Sequence, residues 1–314
     1  MVRSSHSSTA MSLFRGIIPP LVTPLSGPNQ LDEVGFCRLI DHVIEGGVHG
    51  IFVLGTTGEG PSLSHELQRK TVSVATRHAA NRVPVLVGVT HPSYFESMSL
   101  ADHAAACNAS AVVLAAPYYF PAGQDELLDY LSHIIPELPL PVMLYNMPSM
   151  TKLVFEPETV RASLAWKNCV GLKDSSGDIE YFRQVVAVAK ARADFTVLVG
   201  PEHLLLDAMA IGGHGGVHGG ANIDPRLLVS LYSAALQGQS TQALQDQLLR
   251  LGRMYSIGSN PASSVVKAIK CALSIKGICE DHMAMPFKAF TAYEREQVQR
   301  ILAGVQDQPA AIIQ

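Results

Sequence analysis

The sequence predicts an α/β protein, a closed (β/α)8 TIM barrel carrying a C-terminal helical extension. Short apolar runs rich in Val, Ile and Leu recur along the chain without strict alternation, as parallel strands covered on both faces do. Each run is followed by a polar or Gly-rich turn and then by a longer stretch with helical spacing. No G-x-G-x-x-G follows the first run, which weighs against the alternative, an open doubly wound sheet.

The apolar runs fall at 17–22, 50–54, 84–89, 111–115, 141–145, 169–172, 196–199 and 215–217. Helical stretches lie between and after them, at 32–45, 64–80, 93–107, 124–136, 156–165, 178–191, 202–211 and 225–236. The first shows apolar positions at Val34, Phe36, Leu39, Ile40, Val43 and Ile44. Ser64 and Asp178 stand where N-caps belong. Beyond Leu236 come helical stretches at 241–255, 262–276 and 291–302 with no strand between them, interrupted near Pro261 and Pro286. The expected organisation is a disordered tail over 1–12, a catalytic barrel over 13–238, a helical region over 239–303 and a second tail over 304–314.

With 47% apolar and 16% charged residues, the 314-residue chain has ample material for one large core. A net charge of −4 gives no basic footprint for nucleic acid. No apolar run reaches the length of a membrane span. The Ser-rich start has no apolar segment of the kind that marks a secretory signal. The cysteines, at 37, 107, 169, 271 and 279, are odd in number and form no C-x-x-C pair. Reduced thiols and a cytoplasmic location are the expectation.

In such a barrel the active site lies at the C-terminal ends of the strands. The sixth run ends on Lys173, followed by Asp174-Ser175-Ser176-Gly177, which is turn chemistry. A lysine there either snorkels to water or serves as a desolvated amine that attacks a carbonyl and forms a Schiff base. The second run ends in Gly55-Thr56-Thr57-Gly58-Glu59-Gly60, either a small anion nest suited to a carboxylate or a locally capped turn. Tyr118 and Tyr119 close the fourth run and Tyr145 the fifth, as core aromatics or as proton relays. Around the eighth run, glycines flank His214 and His218. A phosphate site, a metal site and close backbone approach to a small ligand compete there. The two histidines would sit roughly 13 Å apart on a strand with no acidic or Cys partner nearby, so close ligand approach is preferred and no metal is expected.

Gly55-Thr56-Thr57-Gly58-Glu59, Tyr145-Asn146-Met147-Pro148 and Gly171-Leu172-Lys173-Asp174 occur in this order at the ends of the second, fifth and sixth runs. Together they resemble the dihydrodipicolinate synthase / N-acetylneuraminate lyase superfamily. The resemblance implies a class I aldolase mechanism without metal or organic cofactor. It also implies a homotetramer built as a dimer of dimers, acting on pyruvate and an aldehyde. By position it makes Lys173 the Schiff-base lysine, Tyr145 the proton donor and acceptor, and Thr56 its relay. Tyr119 becomes a relay reaching into the neighbouring subunit. Thr57, with the Thr56 and Thr57 amides, becomes the carboxylate pocket, and Val217, Gly200 and Glu202 become substrate contacts.

Met150 stands where dihydrodipicolinate synthases carry an arginine for the aldehyde's carboxylate. Losing such a charge-assisted partner costs on the order of 1.5–3 kcal/mol. His65 and Glu96 match a lysine feedback site, whereas Gln68 and Pro92 depart from it. Sialic acid lyases start the Thr56-Thr57 turn with Ser-Thr and carry an acidic pair where only Glu202 stands here. The Ile17-Ile18-Pro19-Pro20 opening and the Lys173-Asp174 pair look more like 2-keto-3-deoxy sugar acid aldolases. The expected substrate is therefore a 2-oxo-3-deoxy sugar acid or a related 4-hydroxy-2-oxo acid. The alternatives are 4-hydroxy-tetrahydrodipicolinate synthase, N-acetylneuraminate lyase and a sugar-acid dehydratase using the same imine. Outside this class, a non-catalytic sugar-acid binder would lack the lysine or the tyrosine, and a phosphate-binding isomerase would place a carboxylate base at a strand end.

Overall fold

The computed structural model describes residues 14–258 and 260–306. Its centre is an eight-stranded parallel sheet. In chain order the strands are β1 (Gly16–Ile17), β2 (Ile51–Val53), β3 (Val85–Gly88), β4 (Ala111–Ala115), β5 (Val142–Asn146), β6 (Cys169–Asp174), β7 (Thr196–Val199) and β8 (Gly215–Gly216). Spatially they run β1, β8, β7, β6, β5, β4, β3, β2. The sheet curls until its two edges meet. Pro20 pairs with Phe52 in a parallel bridge, His49 N–H donates to Ile17 O at 2.8 Å, and Leu21 N–H donates to Phe52 O at 2.8 Å. The run expected over 17–22 yields only a two-residue strand. Pro19 and Pro20 have no N–H for a continuous ladder, so pairing passes to single bonds on either side.

Helices follow the strands: α1 (Glu33–Glu45), α2 (His65–Ala79), α3 (Tyr94–Ala106), α4 (Gln124–Glu137), α5 (Pro157–Ser163), α6 (Ile179–Ala189), α7 (Leu205–Ala210) and α8 (Pro225–Leu236). The expected caps are present. Ser64 Oγ accepts Leu67 N–H at 3.2 Å, and Asp178 Oδ1 accepts Glu180 N–H at 2.9 Å. The stretch expected as one helix over 202–211 opens instead as a 3-10 turn, Glu202–Leu204. A short antiparallel hairpin, Leu25–Gly27 with Gln30–Leu31, had no counterpart in the sequence reading.

The C-terminal helices are α9 (Gln242–Gly252), α10 (Pro261–Ile275) and α11 (Ala292–Gln306). The helix expected over 241–255 ends earlier, at Gly252, and continues as a 3-10 turn. The last helix runs on to Gln306, so the tail expected from 304 starts too early. Residues 307–314 and the expected N-terminal tail lie outside the described residues. Among the described residues, no helix is long and apolar enough to cross a membrane.

Strand periodicity divides the core in two. Leu86, Val113, Ala115, Met143, Tyr145, Leu198 and Val217 gather with Phe52 inside the curl. Their sequence neighbours Val85, Val87, Val112, Leu114, Val142, Leu144, Val197 and Val199 pack outward against the helices. The C-terminal ends of β5 and β6 thus aim alternate side chains into the curl.

Candidate active site

Register places the two key side chains side by side. Tyr145 on β5 pairs with Lys173 on β6, and Asn146 pairs with Asp174 one step further on. Lys173 is 4% exposed and Tyr145 6%, so the lysine does not snorkel to open water. Its Nζ lies 3.9 Å from the centroid of the Tyr145 ring and 5.3 Å from that of Phe52. Burial pushes the Tyr145 phenol upward. The positive charge of Lys173, with hydrogen bonds from Thr56, Ser175 and Lys173 itself, outweighs burial and lowers the Tyr145 pKa.

Asn146 and Asp174 face the other way and lock this pair of strands. Asn146 Nδ2–H donates to Asp174 Oδ1 at 2.8 Å, while Asn146 Oδ1 accepts Phe155 N–H at 3.1 Å. Asp174 also accepts the Ser176 N–H and hydroxyl, both at 3.0 Å. Burial raises the Asp174 carboxyl despite these donors.

The turn after β2 brings Thr56 to Tyr145, with Oγ1 and the phenol oxygen 3.3 Å apart. The turn is tight. Leu54 and Glu59 take positive φ values of 61° and 55°. A Cβ on Gly60 would stand 2.2 Å from Leu54 O, so only glycine fits there. Thr23 Oγ1–H donates to Gly58 O at 2.7 Å, and Glu59 N–H closes on Thr56 O at 3.1 Å.

The ends of β7 and β8 complete the wall. Gly200 N–H donates to Asp174 O at 2.7 Å, and Val217 N–H to Val199 O at 2.8 Å. The Glu202 carboxylate accepts from Gly220 N–H and from the Tyr255 hydroxyl at 3.1 Å. Burial raises the Glu202 pKa against those two donors. His218 is fully buried, its Nδ1–H donating to Gly200 O at 2.9 Å while Nε2 has no partner among the described residues. Burial lowers the His218 pKa to about 4, the Gly200 carbonyl opposing and Lys173 reinforcing the shift. His214 is turned elsewhere, its Nδ1 accepting Val197 N–H at 3.0 Å.

A cleft of about 1050 Å³ opens over these strand ends. Thr56, Thr57, Tyr145, Lys173, Gly200, Glu202 and Val217 all line it, together with Met150, Lys152 and Arg253. Sequence reasoning thus placed seven of its eight candidates in one cavity. The eighth, Tyr119, lines neither this cleft nor the adjoining cavity of about 340 Å³, which Tyr118 lines instead. Tyr119 has φ of 85°, is 82% exposed and packs edge-on against Phe120 with ring centroids 5.0 Å apart. Within one chain it does not reach Tyr145. Ser175, Asn146, Asp174 and Glu59 were missed as site-shaping residues. Asn146, Asp174 and Glu59 all lay inside the three quoted motifs, and that proximity was the available signal.

Comparison with known proteins is consistent along the chain. The model of the dihydrodipicolinate synthetase family matches residues 13–305. A 4-hydroxy-tetrahydrodipicolinate synthase of Phenylobacterium zucineum is 33% identical, over 94% of this chain and 97% of its own. A protein of Escherichia coli K12 named as a probable 2-dehydro-3-deoxy-D-pentonate aldolase is 34% identical over 86% of this chain and 91% of its own. Among solved structures, dihydrodipicolinate synthase of Bacteroides thetaiotaomicron superposes with a TM-score of 0.89 at 45% identity, covering 92% of this chain and 98% of that one. A prophage protein of the same family from E. coli K12, solved in complex with pyruvate, also gives 0.89, at 30% identity, covering 94% and 99%. With the motif residues assembled in one cleft and the match running from end to end of the described chain, this protein belongs to the dihydrodipicolinate synthetase family and is a carbon–carbon lyase of the class I aldolase type.

Proposed function

We propose that this enzyme releases pyruvate from a 2-oxo-3-deoxy sugar acid, or a related 4-hydroxy-2-oxo acid, through a Schiff base on Lys173. The observation that carries the reading is the buried Lys173 beside a tyrosine of lowered pKa, itself hydrogen-bonded to Thr56, at the floor of a large cleft. The amine of Lys173 adds to the C2 carbonyl, and loss of water gives a protonated imine. That imine accepts the electron pair of the C3–C4 bond as it breaks. Tyr145 takes the proton of the C4 hydroxyl, and the aldehyde leaves. Protonation of the enamine at C3 and hydrolysis of the imine return pyruvate and free lysine. Thr57, with the turn amides, holds the substrate carboxylate, and Gly200, Glu202 and Val217 border the rest of the chain.

The curled sheet with bonded edges supports a closed (β/α)8 barrel as the catalytic unit, with α9 to α11 as its helical region. The outward Tyr119 fits a relay supplied to a second copy of the chain, and so a homotetramer of paired dimers.

A second reading, 4-hydroxy-tetrahydrodipicolinate synthase, has its own support. Met150 offers no cation, yet Lys152 and Arg253 line the same cleft and bring cations to it. A substrate panel separates the two. Pyruvate release from 2-oxo-3-deoxy sugar acids, with weak condensation of pyruvate and aspartate semialdehyde, is the expected result. The reverse pattern would overturn the assignment.

A further inference from the structure

The cleft is floored by strands, but the turn that carries Thr56 and Thr57 is also held from outside the sheet. Glu59, the last motif residue of that turn before Gly60, is 6% exposed and forms an ion pair with Lys270, which lies in α10 and is 0% exposed. The Glu59 Oε1 also accepts Ala284 N–H at 2.8 Å, and Lys270 Nζ donates to His282 O at 2.7 Å. Two segments of the C-terminal helical region, α10 and the stretch around 282–284, therefore meet on one carboxylate. The Glu59 backbone in turn bonds Thr56 O at 3.1 Å, and Gly60 N–H bonds Gly55 O at 3.2 Å.

We infer that the Glu59–Lys270 pair is a positioning device that sets the Thr56-Thr57 hydroxyls and amides for the carboxylate of the 2-oxo acid. This rests on the Schiff-base reading above. A buried ion pair is a poor choice for stability alone, because well-packed apolar residues of similar volume do as well or better. What it supplies is a single geometry. Oε1 of the carboxylate takes the Ala284 N–H, Oε2 meets the Lys270 ammonium, and that ammonium also donates to His282 O, so the turn cannot slide without stranding a buried charge. Glu59 also lines the smaller cavity with Thr56 and Tyr145, which puts the carboxylate of the pair beside the relay it would hold. Burial lowers the Lys270 pKa, and the Glu59 carboxylate opposes that shift. Neither residue touches the reacting atoms, so both act through the turn.

The test uses the full-length protein, pyruvate and borohydride, reading the pyruvate concentration that half-saturates trapping on Lys173. Glu59→Gln keeps an acceptor for Ala284 N–H but strands the Lys270 ammonium, so it is read together with the double variant Glu59→Gln/Lys270→Met, which leaves no buried charge unpaired and is the one suited to fold. Each should raise the half-saturating concentration at least tenfold while full trapping returns at high pyruvate. Thr57→Val should cause a comparable rise, and combining it with the double variant should add little, because both act on the same pocket. Folded variants with wild-type half-saturation, or effects that simply multiply with Thr57→Val, would overturn the inference. Absence of any adduct in the unmodified protein would overturn the imine reading itself, and this inference with it.

Discussion

Tyr145 carries two opposed influences, and their balance defines its chemistry. Burial disfavours the phenolate, while Lys173 and three hydrogen bonds favour it, and the net pKa is lowered. The proposed cleavage uses the phenolate to take the C4 proton, and that phenolate is populated at lower pH than for a free tyrosine. Cleavage by the wild-type enzyme should rise with pH through that lowered value, and the rise should vanish in Tyr145→Phe. That variant should still trap pyruvate on Lys173 yet lose about 10²–10⁴-fold in kcat. A pH–rate profile and single-turnover trapping check both points. Unchanged turnover would remove the acid–base role.

His218 makes a different kind of prediction, about stability. Its pKa falls from an ordinary 6.5 to about 4 in the folded protein. The unfolded chain therefore takes up a proton between those values that the folded chain refuses, and stability drops as pH falls across that window. The drop amounts to roughly 3 kcal/mol at its full extent. Chemical denaturation at pH 7 and pH 4.5 should show it in the wild type, and His218→Gln should show a smaller difference. An equal difference in both would contradict the assignment.

The elements were legible where a pattern repeats. Eight apolar runs and the helical stretches between them stood out because strands buried on both faces demand continuous apolar sequence. The same continuity hid which side of each strand faces inward. Every position in 142–145 is apolar or aromatic, so only the observed alternation separates Met143 and Tyr145 from Val142 and Leu144. Register was equally silent, yet it is what sets Tyr145 opposite Lys173. The short turn Pro148–Thr151 escaped notice because a single turn carries no periodicity, although it bears Met150 at the cleft. Replacing Met150→Arg there should raise kcat/KM for a carboxylate-bearing aldehyde on the order of tenfold, the value of one partly solvated charge-assisted bond. Steady-state assays with aspartate semialdehyde measure it. No gain would mean that Lys152 and Arg253 already serve that carboxylate, or that the cleft does not seat it near residue 150.

Across the chain, the contacts that shape the site join residues far apart in sequence. Asn146 reaches Asp174, Thr56 reaches Tyr145, and Glu59 reaches Lys270 in the C-terminal helices. Local motifs singled out most of the candidates that line the cleft, because strand ends converge in this architecture whatever the loops between them do. They did not reveal that the helical region grips the Thr56-Thr57 turn, since a lone lysine within α10 has no local signature. Nor did they bring Tyr119 into the cleft of its own chain, from which its left-handed backbone turns it outward.

The proposed chemistry depends on Lys173 forming an imine with a 2-oxo acid. Incubation with pyruvate and borohydride, followed by peptide mapping by mass spectrometry, reads that directly. A single reduced pyruvate adduct on Lys173, absent from Lys173→Ala, is the predicted result. An unmodified Lys173, or an adduct distributed over surface lysines and unaffected by Lys173→Ala, would contradict it.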